Sequence, residues 1–483
     1  MKFDKDNFEK RNSQILEKVS ESAVSKAISR REFIYGAGAT IAVLNIVPSH
    51  VLGGPRRVSP SETIQIGGIG IGGVGHGQLR SISQQANTKI VALCDVDDVY
   101  AAKTYNYFPN AKRYRDFHQM LDAEADKIDA VYCGTPDHTH TVVSSAALKK
   151  GKHVCCVKPL TRTIDEVRTL TRIARESKVA TQVTASANTS DGACRLCEMI
   201  WDGAIGDVHE AHCWSNRPLW PQGMLRPPGE DKVPETFDWD LWIGPASMRP
   251  FKDEWPPEHL ALSQISARQG KSQALAAVYH PWNFRGWWDF GTGALGDMGC
   301  HHFNTVFKVL KLRYPTNISA NSTIVFDETA PLASIVTFDF PAREGMPPLR
   351  LFWYDGGMKP PRPSELETGR DLPANGNMYV GDKGKILDNR IIPESKMQDY
   401  KLPPKTLQRR SGTWGEWVEA IRGSEPASCN FDWASIITES VLLGNIAIRA
   451  GKKLNWDAES MKFTNNSEAD KYIKEPYRSG WSF

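Results

Sequence analysis

Between residues 62 and 187 short, solid apolar runs alternate with longer amphipathic stretches, the pattern of strands buried on both faces and joined by helices. A first strand through Ile66 and Ile69 is followed by strand-like runs at 89–94, 129–133, 153–157 and 179–183. Helical periodicity marks 98–107, 117–123, 141–150 and 165–176 between them. This alternation predicts a doubly wound parallel sheet with helices on both faces. From about Ala185 the pattern changes. After a helix at 193–201, strand signals at 207–214, 318–326, 334–340, 349–354 and 377–380 follow one another with long insertions, predicting an α+β domain on a large, mainly antiparallel open sheet. A Pro- and Trp-rich stretch, 217–288, is unlike a compact core element. Helices at 414–422 and 433–450 are expected to cover a sheet face or return to the first domain.

The N-terminus follows neither pattern. Its first 28 residues are polar and charged; then Ser29-Arg30-Arg31-Glu32-Phe33-Ile34 precedes a mildly apolar run, 35–47, too short for a membrane span. It resembles a twin-arginine export signal, which implies the twin-arginine machinery as a partner and a periplasmic destination for the folded protein. Cleavage is expected within 49–54, and the Pro- and Ser-containing 55–61 reads as a linker. The expected organisation is an extension and signal over 1–54, a nucleotide-binding domain over 62–187, the α+β domain over 188–457 and a tail over 458–483.

Charge narrows the partners. The 59 basic and 56 acidic residues nearly cancel and no Lys/Arg block marks a face for phosphates, so nucleic acid is not expected. Nine scattered cysteines do not form a disulfide framework. Cys194-x-x-Cys197 lies within a helical pattern and no second Cys or His pair follows at zinc spacing, so no metal is expected.

Chemistry enters directly after the first strand, where Gly70, Gly72 and Gly75 have G-x-G-x-x-G spacing, with Gly73 and Val74 inside the same turn. In a Rossmann-type sheet the first glycine allows the tight turn, the second lets backbone approach a pyrophosphate, and the third lets the helix pack on the strand. The second strand ends in Asp95, about twenty residues on, where a carboxylate binds a ribose 2′-hydroxyl and repels a 2′-phosphate. NAD is therefore favoured over NADP. The strand at 129–133 delivers Thr135, Pro136 and His140 to the carboxyl edge of the sheet, where ligands bind, and the strand at 153–157 delivers Lys158.

Gly134-Thr135-Pro136-Asp137-His138-Thr139-His140, Val157-Lys158-Pro159 and Gly296-Asp297-Met298-Gly299-Cys300-His301-His302, taken with the glycine turn, resemble the Gfo/Idh/MocA oxidoreductase family from about Ile64 onward, and its exported branch in particular. The resemblance implies that Lys158, Asp297 and His301 surround the reacting carbon, and it suggests a homodimer or homotetramer paired through the second sheet. One position departs from the family pattern: Val157 stands where Glu is usual.

The residues support that chemistry independently. Oxidising a secondary alcohol requires a base for the hydroxyl proton, and a histidine titrates near working pH, so His301 is the expected base. Asp297 lies four residues earlier, on the same helical face, where it orients the imidazole or binds a neighbouring hydroxyl. Lys158 stabilises developing alkoxide charge. His140 either touches the nicotinamide or caps a helix. His302 and Trp288 are further candidates for substrate contact, and Asn188 either offers its amide to substrate or serves a turn. Trp214, Trp220, Trp282 and Trp287 also stand where indole faces suit a sugar ring. Because the periplasm does not replenish nicotinamide nucleotides, the expected activity is oxidation of a sugar or glycoside hydroxyl by a tightly bound, internally recycled NAD. The alternatives are glycoside cleavage through transient oxidation, and a silent sugar-binding protein suggested by Val157.

Overall fold

The computed structural model describes residues 62–269 and 277–483, so the expected export signal and linker lie outside the described residues. The first sheet is built in the order β1 (Ile64–Ile69), α1 (Val74–Ser83), β2 (Thr88–Cys94), α2 (Asp98–Tyr107), β3 (Lys112–Tyr114), α3 (Phe117–Ala123), β4 (Ala130–Cys133), α4 (His140–Lys149), β5 (His153–Val157), α5 (Ile164–Ser177) and β6 (Thr181–Thr184). All its neighbours pair in parallel, in the order β3-β2-β1-β4-β5-β6. Strand order therefore reverses between β1 and β4, which opens a crevice above their carboxyl ends. Gly67 and Gly68 of β1 let the flanking layers close in: a Cβ on Gly68 meets Leu79 at 2.8 Å and one on Gly67 meets Ile128 at 2.9 Å. Edge strand β3, Lys-Arg-Tyr, has no apolar run to announce it and keeps its two cationic side chains in water.

Local signals set the helix starts. The Asp97 carboxylate accepts from Val99 and Tyr100 N–H at the head of α2, and Thr163 and Glu166 form a capping box at the head of α5. Each such cap is worth about 1 kcal/mol.

The second domain continues with α6 (Asp191–Trp201), β7 (Val208–Trp214), α7 (Trp239–Ile243), α8 (Leu260–Gln269), α9 (Gly293–Val309), β8 (Asn317–Ser322), β9 (Ser334–Phe340), β10 (Leu349–Tyr354), β11 (Gly376–Gly381), β12 (Lys385–Leu387), β13 (Arg390–Ile392), α10 (Glu394–Asp399), α11 (Gly412–Ile421), α12 (Phe431–Ala450), β14 (Leu454–Asp457) and β15 (Lys462–Phe463). Its strands lie in the order β13-β12-β11-β7-β10-β9-β8-β14-β15, antiparallel except for the parallel pair β7–β10. β8 stops at Ser322, short of the expected 318–326, because Ile324 and Val325 turn out to solvent. The short strands β12 to β15 carry no sustained alternation and were not legible as strands.

Two segments behave differently from expectation. The Trp-rich insertion between β7 and α9 builds a core of its own, in which Phe237, Trp239, Trp242, Phe251, Tyr279, Trp287 and Phe290 pack together. Clustered aromatics supply that core without long regular elements. The stretch 458–483 is not a free tail: it forms β15, and Tyr477 then hydrogen-bonds Glu166 of α5 while Arg478 pairs with Asp240 at 2.6 Å. Helix α12, buried along nearly its whole length, packs on α5, α9 and β8, and α11 places Trp417 against the first-sheet core.

Candidate active site

A cavity of about 660 Å³ lies over the carboxyl edge of the first sheet. Its walls come from the turn after β1, the end of β2, the loops after β4 and β5, the aromatic insertion and the first turns of α9. It is largely apolar with a few converging charges, the usual make-up of a small-molecule site.

The glycine turn forms one end. Gly70 has φ +72°, and a Cβ there meets the Thr135 backbone nitrogen at 2.5 Å, so glycine alone lets the β1 and β4 turns meet. A side chain on Gly75 collides with the Gly70 carbonyl, which is the close helix packing expected of the third glycine. The space above Gly72 and Gly73 is taken by the ring of Tyr100. Tyr100 is held edge-on by His280, whose Nε2 lies 3.0 Å from the Asp97 carboxylate and whose Nδ1 accepts from the Trp242 indole. Asp95 hydrogen-bonds inward: it accepts from Ile71 N–H at 2.8 Å, Gly72 N–H at 3.1 Å and Asp97 N–H at 3.1 Å. Burial raises its carboxyl above the ordinary value while those backbone bonds oppose the rise. The glycine backbone and the N-terminus of α1, which has no side-chain cap, are the groups that would hold a dinucleotide once the Tyr100 ring moves aside. Among the described residues, Tyr100 covers Gly72 and Gly73 of this turn.

The other end holds the charged cluster. Lys158, delivered by β5, places Nζ 2.5 Å from Asp297 Oδ1, and Arg285 Nε donates to the same oxygen at 3.1 Å. Burial alone raises the Asp297 carboxyl, but the two cations outweigh it and hold the group well below the usual carboxylate range. His301, one turn further along α9, shares a hydrogen bond between Nδ1 and Ser186 Oγ at 3.2 Å. Burial, reinforced by the Lys158 charge, pushes the imidazole down to about 3, so it is neutral at working pH. Its Nε2 has no protein partner among the described residues.

Of the residues singled out in the sequence, Gly70, Gly72, Gly73, Val74, Asp95, Thr135, Pro136, Lys158, Asp297 and His301 line this one cavity. Five others do not. His140 is fully buried, with its ring nitrogens 2.7 Å from the Pro159 carbonyl and 2.8 Å from that of Thr135, so it ties the β4 and β5 loops together from beneath and cannot touch a nicotinamide. Asn188 is buried against Asn304 and the Ser428 carbonyl. Trp288 packs under Arg449 in a separate small crevice, and His302 points to Asn377 of the second sheet. Gly75 faces the turn and not the cavity. Among the tryptophans Trp220 and Trp282 reach the cavity wall, whereas Trp214 and Trp287 are core.

Several wall residues went unrecognised in the sequence: Tyr100, Arg217, His280 and Arg285. Only Arg285, a lone cation between Trp282 and Trp287-Trp288, offered a signal. Val157 also lines the cavity; with Asp297 beside it, Lys158 has an anionic partner without the usual Glu. All nine cysteines are free and buried.

A parallel sheet reversing at a glycine turn, with an ion-paired lysine and a histidine above it, is the architecture of a dinucleotide-binding domain. Two family models match: the oxidoreductase family NAD-binding Rossmann fold over residues 64–185 and the oxidoreductase family C-terminal alpha/beta domain over residues 366–483. The chain belongs to the Gfo/Idh/MocA oxidoreductase family, and its first domain is an NAD-binding domain. It is 28% identical over 156 residues to a glycosyl hydrolase family 109 protein of Saccharopolyspora erythraea, covering 30% of this chain and 34% of that one. It is 31% identical over 166 residues to an inositol 2-dehydrogenase of Rhodococcus jostii, covering 34% of this chain and 45% of that one. The chain thus spans between a third and a half of the length of these curated relatives. The solved structure of the WlbA dehydrogenase from Bordetella pertussis, in complex with NADH and UDP-GlcNAcA, shares the fold: TM-score 0.54 at 14% identity, over 82% of this chain and 99% of that one.

Proposed function

We propose that this oxidoreductase acts on a secondary hydroxyl of a sugar or glycoside, with tightly held NAD that is returned to its starting state within each cycle. The observation that carries this reading is the juxtaposition of a neutral His301 with the Lys158–Asp297 pair in one cavity with the glycine turn. The glycine backbone and the α1 N-terminus would hold the dinucleotide, with Thr135 and Pro136 beside it. When bound, NAD supplies the hydride acceptor. His301 takes the hydroxyl proton as its neutral imidazole, with Ser186 fixing the ring. Lys158 keeps donors free for the developing alkoxide, and Asp297 aims its ammonium. Trp282, with the Arg285 guanidinium stacked on its ring at 4.2 Å, borders the space open to a sugar.

A second reading is favoured by the curated relatives named as glycosyl hydrolase family 109 proteins. In it, transient oxidation of a ring carbon acidifies the neighbouring proton, a glycosidic substituent leaves, and the ring is reduced again. We further propose export to the periplasm through the Arg30-Arg31 signal, and a homodimer or homotetramer paired through the second sheet, as the family resemblance suggests. The test is direct. Purified full-length protein receives sugars and aryl glycosides without added cofactor. Reduced-nicotinamide fluorescence with sugar supports the dehydrogenase, and aglycone release without net reduction supports the glycosidase. Neither signal from any carbohydrate contradicts both.

A further inference from the structure

The reacting end of the cavity carries more positive charge than its own residues neutralise. Lys158, Arg217 and Arg285 stand on the cavity wall, as does Arg115, which is paired with Asp98. Lys158 and Arg285 share the single carboxylate of Asp297. Asp137, a second carboxylate on the wall, accepts from the Thr292 hydroxyl at 2.8 Å and also offsets Arg285 and Lys158, which leaves Arg217 as the cation without a carboxylate. Arg217 has no carboxylate partner among the described residues: its Nη1 donates to the side-chain oxygen of Asn216 at 2.6 Å, and neither Nε nor Nη2 has a protein acceptor there. Arg217 and the proposed base His301 line the same cavity. The backbone of Arg217 is pinned just beyond the end of β7. Arg217 N–H donates to Ser215 Oγ at 3.3 Å, and its carbonyl accepts from Gly356 N–H at 2.6 Å.

We infer that Arg217 is a specificity-determining residue that binds an acidic group of the substrate, so that the natural substrate is a carboxylated sugar of the hexuronate class. The inference rests on the proposed sugar-oxidising site and names its substrate. A guanidinium presents parallel N–H groups that match a carboxylate in two-point contact, and Arg217 opens onto the same cavity as Lys158 and His301. A neutral sugar leaves that cation to solvent and the Asn216 amide oxygen. A charge-assisted hydrogen bond of this kind corresponds to a preference of about 10- to 100-fold.

Matched pairs test this on the full-length protein carrying its cofactor: glucuronate against glucose, galacturonate against galactose and mannuronate against mannose, with hexose 6-phosphates as a third arm. Binding is read by calorimetry and reaction by reduced-nicotinamide fluorescence. At least one hexuronate is expected to bind and react about 10- to 100-fold better than its neutral partner. In Arg217→Gln that ratio falls toward one, and Arg217→Lys restores part of it, which separates charge recognition from a folding defect. An equal response to acid and neutral sugars, or an unchanged ratio in Arg217→Gln, overturns the inference while leaving the proposed function standing. A preference for the phosphates overturns the carboxylate assignment. No response to any sugar overturns both readings.

Discussion

Lys158 and Asp297 come from different domains, the end of a first-sheet strand and the second turn of α9, and meet at 2.5 Å with both side chains almost withdrawn from water. Breaking a buried pair leaves one charge uncompensated, which costs about 3–5 kcal/mol when no other partner remains. Here Arg285 stays on Asp297. Lys158→Ala is therefore expected to lose only about 1–3 kcal/mol of stability, below that uncompensated range. Its kcat falls by about 100- to 1,000-fold, the loss that accompanies removal of a donor to developing negative charge. Thermal unfolding and turnover on one preparation separate the two effects; a variant that keeps full turnover removes Lys158 from the mechanism.

His301 gives a pH signature. Its folded value near 3 lies below the ordinary 6.5, so unfolded chains take up a proton that the folded chain refuses. Its contribution to stability is complete above about pH 6.5 and is lost progressively as pH falls toward 3. The stability difference between wild type and His301→Gln should shrink or reverse over that window. In turnover the acid limb is expected to lie below pH 5, not at the 6.5 of an ordinary imidazole. A limb centred near 6.5 in kcat/KM shows that the base is another group or that His301 is solvated.

Gly70 tests the cofactor turn. With φ +72° and the Thr135 nitrogen 2.5 Å from any Cβ, Gly70→Ala is expected to destabilise the protein by at least about 1 kcal/mol and to empty it of dinucleotide. Cofactor content of the purified variant is the measurement, and an undiminished content contradicts the assignment of this turn.

Tyr100 is expected to govern access to the same turn. Its ring covers Gly72 and Gly73 and is braced through His280 to Asp97, so a pyrophosphate reaches the second glycine only as the ring moves aside. Tyr100→Ala should speed both association and dissociation of NAD by about tenfold, equivalent to ~1.4 kcal/mol in each barrier. Stopped-flow binding to stripped protein reads both; unchanged rates mean that the ring is no barrier.

Export is testable in cells. Replacing Arg30 and Arg31 with Lys is expected to hold the protein in the cytoplasm, read by fractionation, whereas unchanged periplasmic recovery rules out the twin-arginine route.

The parts of the site that were legible in the sequence belong to regular elements. The glycine turn follows a strand, Lys158 ends one, and Asp297 and His301 lie four apart on a helix, so period and position alone bring them to the same edge. His302 shows the limit of that reasoning: one residue further along α9 its ring turns away to Asn377 in the second sheet. His140 sits in the right loop, but its ring is drawn inward by two carbonyls that only the folded loops bring together. Arg217, His280 and Arg285 reach the cavity through the aromatic insertion, whose course is set by Trp and Phe packing and not by any repeating period. The fold follows the same division: most long strands and helices were legible to within a few residues, whereas α8 and α9 were given no bounds, and β3 and β12 to β15 were missed as short and without alternation.

The account depends on an adenine-nicotinamide dinucleotide resting on the turn after β1 with His301 at the far end of the same cavity. Dinucleotide content measures this most directly: full-length protein purified without added cofactor is denatured, and the released nucleotides are separated and quantified. The expected result is about one NAD per chain, with little NADP. Protein that releases no nicotinamide nucleotide, and binds none when NAD is supplied in excess, contradicts the account.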